Sequence, residues 1–271
     1  MSRKDNALVS VVMATYNETP EMISKAITSI IQQSYQNWEL HILDDSTNEE
    51  TKAAIDLFAS DDRVIIHRQN ERLGFIKSLN RGLELSKGSY IARMDGDDYS
   101  HPRRFEKEVY FLESHHDVYV VGGQMNIMDE NGVITSSRNY PTGGIKLFVF
   151  SCIRNPLAHP TIMMRREVVD KGFKYDDTLK MSEDLDLWLR LLNNGYKIAN
   201  IPEIVLDYRV MDNFLEKRSS NLQREVMAQV RHKNFDKRHF VHSVLSDGFG
   251  WLFTHVPRGI IDKAYNRENK R

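Results

Sequence analysis

Strand and helix alternate through the first hundred residues, and this alternation constrains the fold more than any other feature of the chain. Leu8 to Met13 (LVSVVM) is β-branched and nearly continuous in hydrophobicity, as a strand covered on both faces would be. Thr19 then offers an N-cap and Pro20 stands at the first helical position. Met22, Ile23, Ala26, Ile27, Ile30 and Ile31 follow on one helical stripe. Trp38 to Leu43 reads as the second strand, Glu49 to Ala59 as a helix and Val64 to His67 as the third strand. Leu73 to Ser86 reads as a helix with Gly88 as its C-cap, and Tyr90 to Met94 as the fourth strand. Such spacing implies right-handed βαβ units, so the expected class is α/β, with a mainly parallel Rossmann-like sheet and helices on both faces.

In sheets of this kind ligands bind beyond the carboxyl ends of the strands. Those ends carry Ala14-Thr15-Tyr16-Asn17, Asp44-Asp45-Ser46 and Asp95-Gly96-Asp97-Asp98, three polar clusters converging on one rim. The second half is less regular. Val118 to Val121 reads as a strand, and Asn131-Gly132 joins Gln124–Asp129 to Val133–Ser136 as a hairpin. Thr161 to Met164, Lys197 to Ile201 and Val205 to Val210 read as further strands. Ser182 is placed to cap a helix with Leu185, Trp188, Leu189 and Leu192 inward and Gly195 at its end. A last helix is expected over Lys217 to Phe235.

A chain of 271 residues with 41% apolar and 28% charged residues can bury a core, and its net charge of −1 argues against nucleic acid as a partner. The charge is segregated. Residues 216–271 carry 12 Lys and Arg against 6 Asp and Glu, leaving 25 against 32 in residues 1–215. Cys152 is the only cysteine, so no intrachain disulfide forms, and a reducing, cytoplasmic setting is expected. The apolar run at Ala7 to Ala14 is too short for a signal peptide. No stretch reaches the roughly 20 apolar residues of a membrane span.

Three carboxylates within Asp95–Asp98 repel one another unless a cation sits among them, and hard oxygen ligands suit Mg²⁺ or Mn²⁺. A calcium loop fails, because Tyr99 and Ser100 occupy the positions that need an oxygen ligand and a Gly. The bland alternative is a solvated acidic turn. Asp44-Asp45 suits either a helix cap or a hydrogen bond to a base or ribose. Tyr16 suits either packing or stacking on a base. No Gly-rich phosphate loop is present, so a diphosphate must be held by metal and cationic side chains. Glu183 and Asp184 suit a helix dipole equally well as a general base at a cleft edge. His159 suits a cleft wall or a structural hydrogen bond. Asn17-Glu18-Thr19 is a glycosylation sequon by pattern only.

Together these residues resemble the family 2 glycosyltransferases, inverting enzymes of the GT-A fold that use nucleotide-sugar donors. The resemblance runs in order over about residues 7–210. It takes in V-S-V-V-M-A-T-Y-N at 9–17, E-L-H-I-L-D-D-S at 39–46, N-E-R-L-G at 70–74 and G-S-Y-I-A-R-M-D-G-D-D at 88–98. It continues with H-P-T at 159–161 and S-E-D-L-D-L-W-L-R-L at 182–191. It implies a hexosyltransferase with a GT-A domain over 1–215, whose nucleotide-binding half is 1–98 and acceptor-binding half 99–215, followed by a helical, basic extension over 216–271. Ala14, Thr15 and Tyr16 would wall the uracil of a UDP-sugar, Asp45 would bond the base, and Asp95 the ribose. Asn70, Gly74 and Arg93 would line the donor site. Asp97 would bind Mn²⁺ or Mg²⁺, and Asp184 would be the catalytic base with Glu183 beside it. The Q-x-x-R-W of processive members is absent; Leu191-Leu192-Asn193-Asn194-Gly195 stands there, which implies transfer of one sugar per encounter. The family's common setting implies a glycan or lipid-linked acceptor in capsule or O-antigen synthesis.

Beyond the resemblance, residues 249–271 mix Phe249, Trp251, Leu252, Phe253 and Val256 with Arg258, Lys263, Arg267, Lys270 and Arg271. That composition suits a peripheral contact with an anionic inner leaflet, packing on the catalytic body, or a homodimer contact. Two other functions compete with transfer. A sugar-nucleotide pyrophosphorylase would need a Gly-rich loop after the first strand, where Ala14-Thr15-Tyr16-Asn17-Glu18 stands. A non-catalytic nucleotide-sugar binder would have no use for Asp97 and Asp184 together.

Overall fold

A computed structural model describes residues 7–68, 71–211 and 221–256. The expected donor residue Asn70, the first residues of the helix expected from Lys217 and positions 257–271 of the tail lie outside the described residues. The first half alternates as its sequence requires: β1 (Val9–Thr15), α1 (Pro20–Ile31), β2 (Trp38–Asp44), α2 (Glu49–Asp56), β3 (Val64–Arg68), α3 (Phe75–Leu85) and β4 (Tyr90–Asp95). Thr19 caps α1, its Oγ1 accepting from Met22 N at 3.3 Å. β4, β1, β2 and β3 are all parallel. Val9, Val11 and Met13 of β1 face one core and Val12 and Ala14 the other, which is why the run is apolar at nearly every position.

The second half adds β5 (Tyr99–Ser100), α4 (Arg104–Ser114), β6 (Val118–Met128), β7 (Ile134–Arg138), α5 (Gly144–Ile153), β8 (Met163–Arg165), α6 (Arg166–Asp170), α7 (Glu183–Asn193) and β9 (Lys197–Arg209). Two more helices close the described chain, α8 (Asn221–Lys233) and α9 (Phe240–His255). One sheet runs through everything in the order β3-β2-β1-β4-β8-β6-β9-β5, with β7 paired to β6. β8 is antiparallel to both β4 and β6, so the sheet is parallel in its first half and mixed in its second. Helices α1, α2 and α4 bury their apolar faces on one side of the sheet. Helices α3, α5, α6 and α7 cover the other.

Several boundaries differ from expectation for identifiable reasons. Gly122-Gly123 does not break a strand. The pair lets β6 run straight past β9, since a Cβ on Gly123 would lie 2.4 Å from Val205 Cγ2. The two strands expected before and after Pro202 are one, and a register shift between Gly122 and Gln124 accommodates the proline. α3 starts at Phe75 after Gly74 at φ +81°, and ends at Leu85 with Ser86 as its C-cap. Gly88 is not its C-cap; a Cβ there would stand 2.5 Å from Leu8 O, so it is small to let the chain pass β1. Residues 159–161 form a 3-10 turn that shortens the strand expected from Thr161. Ser182 holds the N-cap position of α7 at φ 62° but makes no side-chain cap bond. α7 is buried on two sides: Leu187, Trp188 and Leu191 face the sheet, and Leu185 and Leu189 meet Val230 of α8. Buried Asp186 ties the two helices together, accepting from Arg190 Nε at 2.8 Å, Lys233 Nζ at 3.1 Å and Asn234 Nδ2 at 3.0 Å.

Candidate active site

The three polar strand ends do meet on one rim. Asp95, at the end of β4, lies with Asp97 and Asp98 so that one carboxylate oxygen from each falls within 4.8 Å of the others. Burial, and then the Asp95 charge, pushes the Asp97 carboxyl up to about 6; burial also raises Asp98 well above the usual carboxylate range, with Asp97 and Asp95 adding to it. Asp98 Oδ2 is buried without a hydrogen-bond partner. Oxygen-only donors, mutual repulsion and an orphaned buried oxygen fit a hard divalent cation, and among the described residues no other such group occurs.

Two residues that the sequence did not single out act on this cluster. Glu18 lies in the loop after β1, where the sequence offers only a sequon pattern and the residues that follow the first strand. Its carboxyl is pushed up to about 7, mainly by burial, with Asp97 and Asp95 adding to it. Arg209, at the end of β9, donates from Nε to Asp97 O at 2.9 Å and from its backbone N to Asp98 Oδ1 at 2.9 Å. The only sequence signal for Glu18 was its place just after a strand end. Arg209 gave none, because its role depends on β9 lying beside the β4 loop.

The expected donor residues flank the cluster, with unequal freedom. Tyr16 is 42% exposed, and the Arg72 guanidinium lies 3.6 Å from its ring centroid. Ala14 and Thr15 are buried, and the Thr15 hydroxyl turns inward to Asp44 Oδ1 at 3.3 Å. Asp45 accepts from Leu73 N at 3.2 Å, Gly74 N at 2.6 Å and Ser78 Oγ at 3.3 Å, so it fixes the entry to α3. Gly74 serves that turn through its positive φ. Asp44 is committed to structure, paired to Arg68 at 2.8 Å. Arg93 is buried and grips Asp95 with two nitrogens, under the ring of Phe75 at 5.4 Å.

A cleft of about 610 Å³ opens beside this rim. Arg93, Asp95 and Phe75 line it together with His159, Glu183 and Asp184. Tyr140, Phe150, Arg154 and Tyr208 also line it. Tyr16, Asp45, Gly74 and Asp97 are not in its lining; they belong to the adjoining rim. Asp95 belongs to both the acid cluster and the cleft. At the start of α7, Asp184 Oδ1 accepts from Leu185 N at 2.7 Å and Oδ2 accepts from Asn155 Nδ2. Glu183 is buried beside it, 3.7 Å from His159 Nδ1, and burial and the Asp184 charge push its carboxyl up to about 7. His159 is bonded to Tyr175 Oη at 2.9 Å, and burial with the nearby Arg93 charge pushes it well down, so it stands neutral. Asn155, Phe75 and Tyr175 are contributors that no sequence pattern disclosed.

The model of the family described as Glycosyl transferase family 2 matches residues 10–173. The chain is 38% identical over 219 residues to the putative glycosyltransferase EpsE of Bacillus subtilis, covering 78% of this chain and 76% of EpsE. It is 34% identical to the O-antigen biosynthesis glycosyltransferase WbnJ of Escherichia coli, covering 80% of this chain and 85% of WbnJ. Among solved structures, S. aureus TarS 1–349 in complex with UDP-GlcNAc superposes with a TM-score of 0.68 at 19% identity, covering 89% of this chain and 71% of TarS 1–349. The shared architecture is the GT-A fold.

Proposed function

This chain belongs to glycosyl transferase family 2, and on that premise we propose that it transfers a single sugar, with inversion, from a UDP-sugar to a hydroxyl of a glycan or lipid-linked acceptor. The observation that carries the reading is Asp95, shared by the acid cluster and the cleft that holds Asp184. Donor diphosphate and acceptor hydroxyl would thereby be brought to one point.

In this reading residues 1–98 bind the nucleotide, residues 99–215 receive the acceptor, and residues 216–271 form an extension. Tyr16 stacks on the uracil, Asp45 accepts from its N–H with the capacity left beyond its backbone bonds, and Asp95 holds the ribose. Ala14 and Thr15 contribute backbone to that wall, and Asn70 and Gly74 border it. Asp97, with Asp95 and Asp98 nearby, would hold Mn²⁺ or Mg²⁺, which when bound offsets charge on the departing diphosphate. Arg93 keeps Asp95 aimed at the cleft. Asp184, steadied by Asn155 and Leu185 N, takes the proton from the acceptor hydroxyl as that oxygen attacks the anomeric carbon from the face opposite UDP. Glu183 and His159 are positioning residues behind it. The TarS complex supports a UDP-linked donor, and the O-antigen relative supports a role in surface polysaccharide synthesis. The absence of Q-x-x-R-W after α7 supports single transfer.

Calorimetric titration with UDP, with and without Mn²⁺, tests the donor half. Metal-dependent binding that Asp97→Ala abolishes is expected. UDP binding that is equal with and without Mn²⁺ would refute the metal assignment, and no binding at all would refute the UDP reading.

A further inference from the structure

Helix α9 is inside out. Its buried side carries His242, Ser243, Ser246 and Gly250. Its exposed side carries Val241, Val244, Leu245 and Leu252, which with Gly248 recur at the spacing of one helical stripe, flanked by Trp251 at 63% exposure. A helix whose outer face meets only water shows the reverse pattern. Nor can it roll over, because its polar side is bonded. His242 Nε2 lies 2.9 Å from Ser151 Oγ, Ser246 Oγ accepts from Arg231 at 2.7 Å, and Ser243 Oγ accepts from Asp236 N at 2.9 Å.

Helix α5 repeats the arrangement. Ile145, Phe148 and Val149 are exposed at i, i+3 and i+4, while Leu147, Ser151 and Cys152 are buried. The Phe148 ring lies 4.9 Å from that of His242 on the buried side of α9, so the two helices pack together and each turns an apolar stripe outward. Exposed apolar stripes on two packed helices mark an interaction site.

We propose that the face shared by α5 and α9 docks on an anionic phospholipid surface. Cationic side chains border it among the described residues: Lys146 is exposed on α5, and Lys237 and Arg238 are exposed just before α9. An anionic leaflet meets that charge with its opposite, whereas a second copy meeting this face across a two-fold axis would set like charges together. With 16 residues in α9 and 10 in α5, both helices are too short to span a bilayer and suit the plane of the interface. The surface also adjoins the cleft. Phe150, Ile153 and Arg154 of the same α5 line the cavity that holds Asp184. A docked chain would therefore present its cleft at the headgroup level, where a lipid-linked acceptor carries its sugar; this last step rests on the acceptor reading above. The docking surface thus begins at Ile145, about a hundred residues before the tail that composition had singled out.

Flotation of the full chain with vesicles tests this without requiring catalysis. The native chain is expected to float with phosphatidylglycerol–phosphatidylcholine vesicles and to bind phosphatidylcholine vesicles about tenfold more weakly. Ile145→Glu/Val244→Glu places charges on exposed positions and should lower the partition coefficient by about tenfold or more. The variant's circular dichroism and UDP titration should match the native chain. Three results would each overturn the proposal: a native chain that stays unbound, a variant that floats as well as the native chain, or a native dimer in light scattering that the variant dissociates. A chain that floats but never binds UDP would leave the docking surface standing and remove the donor reading.

Discussion

Replacing Asp184 with Asn tests the proposed base with little change of shape. In the native site Oδ1 accepts from Leu185 N at 2.7 Å and Oδ2 accepts from Asn155 Nδ2. The Asn side chain keeps the first bond, but its amide nitrogen then faces a second amide donor. That contact should cost about 1–3 kcal/mol locally, which leaves the protein folded. The kinetic loss is larger. An absent carboxylate base is worth about 10²–10⁴ in rate, or about 3–5 kcal/mol of barrier. Asp184 lies outside the Asp95, Asp97 and Asp98 group, so the UDP dissociation constant should change by less than about twofold. Asn155→Ala removes the steadying donor but leaves the carboxylate, and should cost about tenfold in rate, as loss of one hydrogen bond does. The assay is the initial rate of UDP release in the presence of acceptor, paired with calorimetric UDP titration of all three proteins. An Asp184→Asn protein transferring within about tenfold of native would refute the assignment. Glu183, whose carboxyl lies at about 7, would then be the group to replace.

Three further outcomes follow from the geometry. Because burial and Asp95 raise Asp97 to about 6, its anion fills in only as pH rises through that value. Mn²⁺-dependent UDP affinity should therefore climb about tenfold between about pH 5 and about pH 7, and a flat calorimetric profile would exclude Asp97 as a ligand. Tyr16→Ala should weaken UDP binding by about 1–3 kcal/mol if the ring stacks on the base, and unchanged affinity would return Tyr16 to packing. Asp186→Ala removes the buried acceptor between α7 and α8. Arg190 and Lys233 reach solvent on its loss, so the cost should sit near about 3 kcal/mol, read as a lower urea midpoint.

Much of the fold was legible in one dimension, because its first half is built from local rules. Alternating apolar periods, the Thr19 cap with Pro20 after it, and three polar strand ends are written in neighbouring residues. A parallel βαβ layout then forces those ends to one rim whatever the details. The second half was harder, because its elements answer to distant partners. Gly122-Gly123 looks like a break until β9 is seen pressing within van der Waals range, and Gly88 looks like a cap until β1 is seen beside it.

The amino-acid sequence by itself determined the chemistry on offer: an acid cluster at a strand end, Glu183 and Asp184 at a helix start, and a basic extension. Tertiary structure decided how those groups are used. Asp45 became a brace for α3 because Leu73 and Gly74 present their N–H groups to it. Glu18 and Arg209 joined the acid cluster across sheet neighbours that no local pattern encodes. Helix α9 turned its apolar face outward because Ser151 and Arg231, supplied by other helices, hold its polar face in. Local propensity acts between residues a few positions apart. Burial, charge coupling and close backbone approach depend on distances in space, and only the folded chain sets those.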